Sequence, residues 1–190
     1  MGAHRSVSSI KRIAAAVVAL APLLAVSAAQ AQPPAAAAPR DDGQWAMPAK
    51  NYASTRYSEL NQISTGNVKN LQVAFTFSTG VDRGQEAAPI VVGNTMYIVT
   101  PYPNFVFALD LSKPGAPVKW KFAPKPESAS QGVACCDVVN RGGVFWNGKF
   151  IFNTLDGNTI ALDANSGKQL WRTKLADINK GETITMAPWW

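Results

Sequence analysis

An all-β fold of repeated four-stranded units is what three features of this 190-residue sequence predict. Short runs rich in β-branched and aromatic residues recur between Gly, Pro and Asn punctuation, which is the pattern of strands and turns. Beyond the N-terminal segment no stretch carries a helical period. The third feature is an internal repeat. Asn94-Thr95-Met96-Tyr97-Ile98-Val99 matches Asn147-Gly148-Lys149-Phe150-Ile151-Phe152, and Val106-Phe107-Ala108-Leu109-Asp110 matches Thr159-Ile160-Ala161-Leu162-Asp163, both at an offset of 53. Each copy runs on through a Gly-containing turn to Trp120 or Trp171, the first turn being two residues longer. Repeats of about 40–50 residues with four strands each are the sequence mark of a β-propeller.

The elements follow in chain order. Arg5, Lys11 and Arg12 precede an apolar run from Ile13 to Ser27 and a small-x-small site at Ala29-Gln30-Ala31. This reads as a cleavable secretory signal over 1–31, with an uncleaved anchor as the alternative, the run being short for a membrane span. Residues 32–41 are a Pro/Ala-rich linker, and the propeller part is 42–190. Without the signal's three basic residues, 15 Lys+Arg remain against 12 Asp+Glu, about +3 net, and no basic stripe points to nucleic acid. Export places the protein in the periplasm, where disulfides persist.

Strands are expected over Met96–Thr100, Phe105–Leu109 and Val118–Phe122, and again over Phe150–Asn153, Thr159–Leu162 and Gln169–Thr173. Ala87-Ala88-Pro89 resembles Met186-Ala187-Pro188, so a third copy is expected to start at the end of the chain. Because a propeller needs at least four blades to close, two to three units are expected to be the N-terminal part of a larger ring, cut within a blade. Trp120 and Trp171 are expected to dock one blade on the next rather than touch a ligand.

Chemistry concentrates around Cys135 and Cys136, the only cysteines and adjacent in sequence. A trans peptide sets Cα atoms about 3.8 Å apart, less than the roughly 4.4–6.8 Å of an ordinary disulfide. The doublet is therefore either a strained vicinal bridge or two thiols in a buried strand; export favours the bridge. The only His is His4, within the signal, so the mature chain has no imidazole for a triad or zinc site. Asp156-Gly157-Asn158 lacks the further acids of a calcium loop and reads as a turn. No Cys-x-x-Cys-His haem attachment occurs, and adjacent cysteines lack the Cys-x-x-Cys spacing of thiol oxidoreductases.

The stretch Cys135-Cys136-Asp137-Val138-Val139-Asn140-Arg141-Gly142 closely resembles that of the quinoprotein methanol and ethanol dehydrogenases, which depend on pyrroloquinoline quinone (PQQ). Ala161-Leu162-Asp163-Ala164-Asn165-Ser166-Gly167-Lys168-Gln169-Leu170-Trp171 resembles their tryptophan-docking motif. Trp45 to Leu71, including Asn51-Tyr52-Ala53-Ser54-Thr55-Arg56-Tyr57-Ser58, and Lys180 to Pro188 extend the resemblance over essentially Asp42 to Pro188. The resemblance implies an eight-bladed propeller that oxidises primary alcohols to aldehydes with PQQ and a calcium or lanthanide ion, passing electrons to a cytochrome c, and homo-oligomeric when full length. It implies a vicinal disulfide of Cys135 and Cys136 under the cofactor, with Glu86 on the cofactor's rim and Arg141 and Thr185 at its carboxylate edge. An Arg fork suits a planar carboxylate. Glu86 is the odd member beside an anionic ligand unless it accepts from a ring N–H or shares a proton. Glu86 also reads as a surface-loop acid, Arg141 as a surface ion pair, and Thr185 competes with Thr183. The catalytic base and the ion's ligands are expected downstream of Trp190, leaving this chain inactive alone. Trp189 and Trp190 are not assigned to the cofactor's second face. The alternative reading is a non-enzymatic propeller scaffold of the outer-membrane assembly type, which would have no use for the doublet and Arg141.

Overall fold

A computed structural model describes residues 43–135 and 137–189. The signal and linker expected over 1–41, and Cys136, lie outside the described residues.

The chain forms two antiparallel meanders. The first contains β1 (Ile90–Val92), β2 (Thr95–Val99), β3 (Val106–Asp110) and β4 (Val118–Phe122), and the second β5 (Gly143–Trp146), β6 (Lys149–Asn153), β7 (Asn158–Asp163) and β8 (Gln169–Lys174), each sheet ordered as in the sequence. The six expected strands are present within a residue or two of their expected ends. β1 and β5, the first strand of each unit, were not singled out from the sequence because each is short.

The repeat extends to irregularities. The register slips between Ala108 and Leu109 in the first sheet and between Ala161 and Leu162 in the second, 53 residues apart. Asp110 and Asp163 then close the same turn. Asp110 Oδ1 accepts from the Ser112 amide and hydroxyl, and Asp163 Oδ1 from the Asn165 and Ser166 amides and the Ser166 hydroxyl. These are side-chain turns of the kind Asp makes without cost to a ladder. The β5–β6 hairpin turns on Asn147 (φ 43°) and Gly148 (φ 72°), the pair of positive angles a two-residue turn requires.

The main core lies between the sheets. One face of the first contributes Ile90, Tyr97, Val99, Val106, Ala108 and Trp120; the facing side of the second contributes Phe150, Phe152, Ile160 and Leu162. Tyr97 stacks on Phe150 at 4.9 Å between centroids, and Phe122 meets Phe152 edge-on at 6.2 Å. Trp120 docks as expected. Its ring covers Gly167, where an added Cβ would lie 2.6 Å from Trp120 Cδ2. Its Nε1 donates to the Ala164 carbonyl (3.1 Å), which also accepts from the Tyr97 hydroxyl (3.2 Å). Trp171 is 40% exposed, on a face of the second sheet shared with Trp146 and Ile151.

Two further connections bind the sheets, one at their first strands and one between the β2–β3 and β6–β7 turns. Trp45 bridges to Val91 of β1, and the next carbonyl, of Ala46, accepts from Phe145 of β5 at 2.7 Å. Asn104, fully buried, takes the Leu155 amide on its Oδ1 at 2.9 Å. The other face of the first sheet is covered by Phe75 and Phe77 packed on Phe107 and Leu109. Among the described residues helix is confined to a single α-helical turn, α1 (Ser130–Val133), and two 3₁₀ turns at Val68–Asn70 and Ile178–Lys180.

Candidate functional site

Residues 137–142 connect the α1 turn to β5 without regular structure of their own, so tertiary hydrogen bonds hold them. The Tyr102 amide donates to the Val138 carbonyl (2.9 Å) and the Arg141 amide to the Thr185 carbonyl (2.9 Å). The second bond lays the segment around Thr185 alongside the turn that carries Arg141.

Three of the residues singled out from the sequence meet there. Arg141 Nη1 donates to Thr185 Oγ1 at 2.7 Å, and Arg141 Nε faces Glu86 Oε2 at 3.2 Å. Of the two threonines weighed, Thr185 is the one on the guanidinium. Arg141 and Glu86 are each about half exposed (50% and 45%), so their ion pair is accessible to water and to a ligand. The surface-pair reading of Arg141 thus describes a contact that exists, and its partner is Glu86, the residue expected on the cofactor's rim.

Both side chains line an open cleft of about 690 Å³, whose walls also include Pro48, Ser54, Arg56 and Trp189. Its size falls within the range of small-molecule sites. Arg56 and Ser54 were quoted from the sequence without a role. Both sit in the left-handed region (φ 50° and 53°), a backbone choice that composition and spacing do not reveal. Trp189 is 56% exposed and lies 6.1 Å from Tyr52, ring to ring.

Cys135 is exposed and follows the α1 turn outside any strand. The alternative of thiols buried in a strand therefore does not hold for it: the turn is followed at once by extended, irregular backbone with no ladder to join. Its expected pairing with Cys136 lies outside the described residues. Asp156, read from the sequence as a turn residue, is buried and accepts from the Thr154 hydroxyl (2.5 Å) and the Glu127 amide (3.1 Å). Among the described residues no cluster of three or more His, Cys, Asp or Glu side chains is arranged to hold a metal ion.

The chemistry of the cleft is that of an anion site with one internal counter-charge. Two arginines, Arg56 and Arg141, and Ser54 are among its lining residues, the Thr185 hydroxyl sits on the Arg141 guanidinium, and Glu86 is the acid. That donor set fits a flat polycarboxylate.

Residues 45–173 match the family described as "PQQ: Glucose/ethanol/alcohol dehydrogenase, beta-propeller domain". The chain is 58% identical over 149 residues to the lanthanide-dependent methanol dehydrogenase of Methylacidiphilum fumariolicum, covering 78% of this chain and 24% of that one. It is 45% identical over 191 residues to methanol dehydrogenase [cytochrome c] subunit 1 of Methylorubrum extorquens, covering 97% and 30%. Among solved structures a europium-containing methanol dehydrogenase superposes with a TM-score of 0.74 at 59% identity, covering 76% of this chain and 25% of that one. The chain thus spans 24–30% of the length of these relatives.

Proposed function

The chain belongs to the PQQ-dependent glucose/ethanol/alcohol dehydrogenase β-propeller family, and on that premise we propose that it supplies one wall of the cofactor site of a periplasmic dehydrogenase of primary alcohols. The observation that carries this is the Arg141–Glu86 pair on the cleft wall, with Thr185 bonded to the Arg141 guanidinium.

In this reading Arg141 binds and orients a carboxylate edge of the ligand. Its guanidinium is always charged and presents a fork that matches a carboxylate. Thr185 Oγ1, held by Arg141 Nη1, keeps its own hydroxyl proton to donate to a further ligand oxygen. Glu86 holds the Arg141 fork in place through Nε and Thr185 through Nη1, leaving Nη2 to the ligand. Arg56 adds a second positive group on the same cleft. Cys135 and Cys136, joined, present a flat apolar surface beneath the ring system. When bound, the quinone supplies a two-electron acceptor and a hard calcium or lanthanide ion a Lewis acid. The electron acceptor beyond it is a cytochrome c, as the name of one relative indicates for that relative. The organisation that accompanies this reading is a cleaved signal over 1–31, a linker over 32–41 and propeller from 42 to 190.

Equilibrium dialysis of PQQ against the intact protein and its Arg141→Ala variant tests the proposal. Charge-assisted hydrogen bonds at an accessible site should make the variant bind about tenfold or more weakly. Equal affinity in the two proteins overturns it.

A further inference from the structure

Two fully or nearly fully buried amides stand behind the Arg141–Thr185 pair, and nothing in the proposed chemistry uses them. The Asn140 side chain has no exposed surface. Its Oδ1 accepts from the Gly142 amide at 2.9 Å, so the side chain closes a loop around Arg141 itself. Its Nδ2 donates to the Asn153 carbonyl at 2.9 Å, at the end of β6. Asn153 is 5% exposed. Its own Nδ2 donates to the Met186 carbonyl at 3.0 Å, one residue beyond Thr185, and its Oδ1 accepts from the Thr159 hydroxyl at 2.7 Å.

The two elements that carry the cluster therefore do not rest on each other alone. The turn bearing Arg141 is pinned to the end of β6 by Asn140, and the segment bearing Thr185 is pinned to the same residue of β6 by Asn153. Asn153 is the common point: its main-chain oxygen holds one element and its side-chain amide the other. Each amide works as donor and acceptor at once, through two different atoms, so one uncharged side chain can tie two separate elements together. A buried amide with one partner removed leaves the other unsatisfied, so the frame is stiff by default.

We propose that Asn140 is a positioning residue for the cofactor's acid edge: with Asn153 it sets the distance and direction of Arg141 relative to Thr185, and it governs ligand affinity through Arg141. This rests on the proposed role of Arg141 as an anion fork. An arginine on an irregular turn otherwise samples many rotamers, each costing entropy to fix when a ligand binds. In metal sites, the groups that orient a ligating side chain change affinity by about 10–100-fold when removed.

A double-mutant cycle in PQQ affinity, read by equilibrium dialysis on the intact protein, tests this, with a thermal unfolding midpoint recorded for each variant. Asn140→Ala should weaken binding about tenfold or more in the parent. In the Arg141→Ala background the same change should alter affinity less than about twofold, because the group it positions is gone. Should Asn140→Ala not yield folded protein, Thr159→Val takes its place: it is isosteric, removes the bond that orients Asn153, and is expected to show the same pattern more weakly. A merely structural role would lower the unfolding midpoint in both backgrounds without this non-additivity. The inference fails if affinity is unchanged by Asn140→Ala, or if it falls equally with and without Arg141. Failure of the Arg141 reading is a separate result, seen when Arg141→Ala alone binds PQQ like the parent.

Discussion

At Asp156 burial works to raise the carboxyl, but the Thr154 hydroxyl, the Glu127 amide, Asn158 and the field of Lys174 outweigh it and hold the group below the usual carboxylate range. A carboxyl depressed in the folded state contributes stability above its unfolded value of about 3.9, and that contribution is lost as pH falls through the folded value. Asp156→Asn should therefore destabilise the protein at neutral pH by about 1.5–3 kcal/mol. Its deficit against the parent should shrink as the pH is lowered from about 5, so that the variant's stability curve is flatter on the acid side. Urea unfolding of both proteins across that range checks the sign; a deficit that grows toward acid pH contradicts it. At the same scale, Arg141, Thr185 and Glu86 were singled out through the family resemblance, and the fold brings the three together. Asn140, Asn153 and Arg56 were not disclosed. Asn in a turn or at a strand end is what turn chemistry alone would place there, and only the fold shows that these amides are buried between two elements.

Between elements, the contact that decides stability is a ring against a glycine. Gly167 and Gly148 share φ of 72°, yet an added Cβ at Gly148 meets nothing within 4 Å while at Gly167 it meets Trp120 at 2.6 Å. Gly148→Ala should cost only the left-handed backbone penalty, about 1–2 kcal/mol. Gly167→Ala adds the overpacking of a filled contact, typically 1–3 kcal/mol more. The difference between the two variants in denaturant unfolding isolates the sheet-to-sheet contact; equal losses would mean that Trp120 yields freely. The strands were legible because two copies of one pattern, 53 residues apart, reinforce each other. β1 and β5 were less so, because strands of three or four residues carry too few alternations to register a period. Of the two readings of the doublet, thiols buried in a strand does not describe Cys135: Val133 ends a helical turn and Ala134 caps it in extended backbone.

For the whole molecule, the proposed function assigns this chain a ligand-facing wall and leaves the proton-accepting and ion-holding groups to other parts of the site. The 190-residue chain, incubated with PQQ, calcium or a lanthanide, methanol or ethanol and a dye acceptor, is accordingly expected to give no turnover; dye reduction above the protein-free rate would remove that division of labour. The joint between the two sheets bears on how such a protein can change over time. Trp120 rests on the peptide at Gly167 and bonds to the main-chain oxygen of Ala164. What it recognises is backbone, and the backbone of one unit looks much like that of the next. Neighbouring units can therefore drift apart in side chains, acquire a cysteine doublet here or an arginine turn there, and still interlock through one tryptophan and one unobstructed peptide.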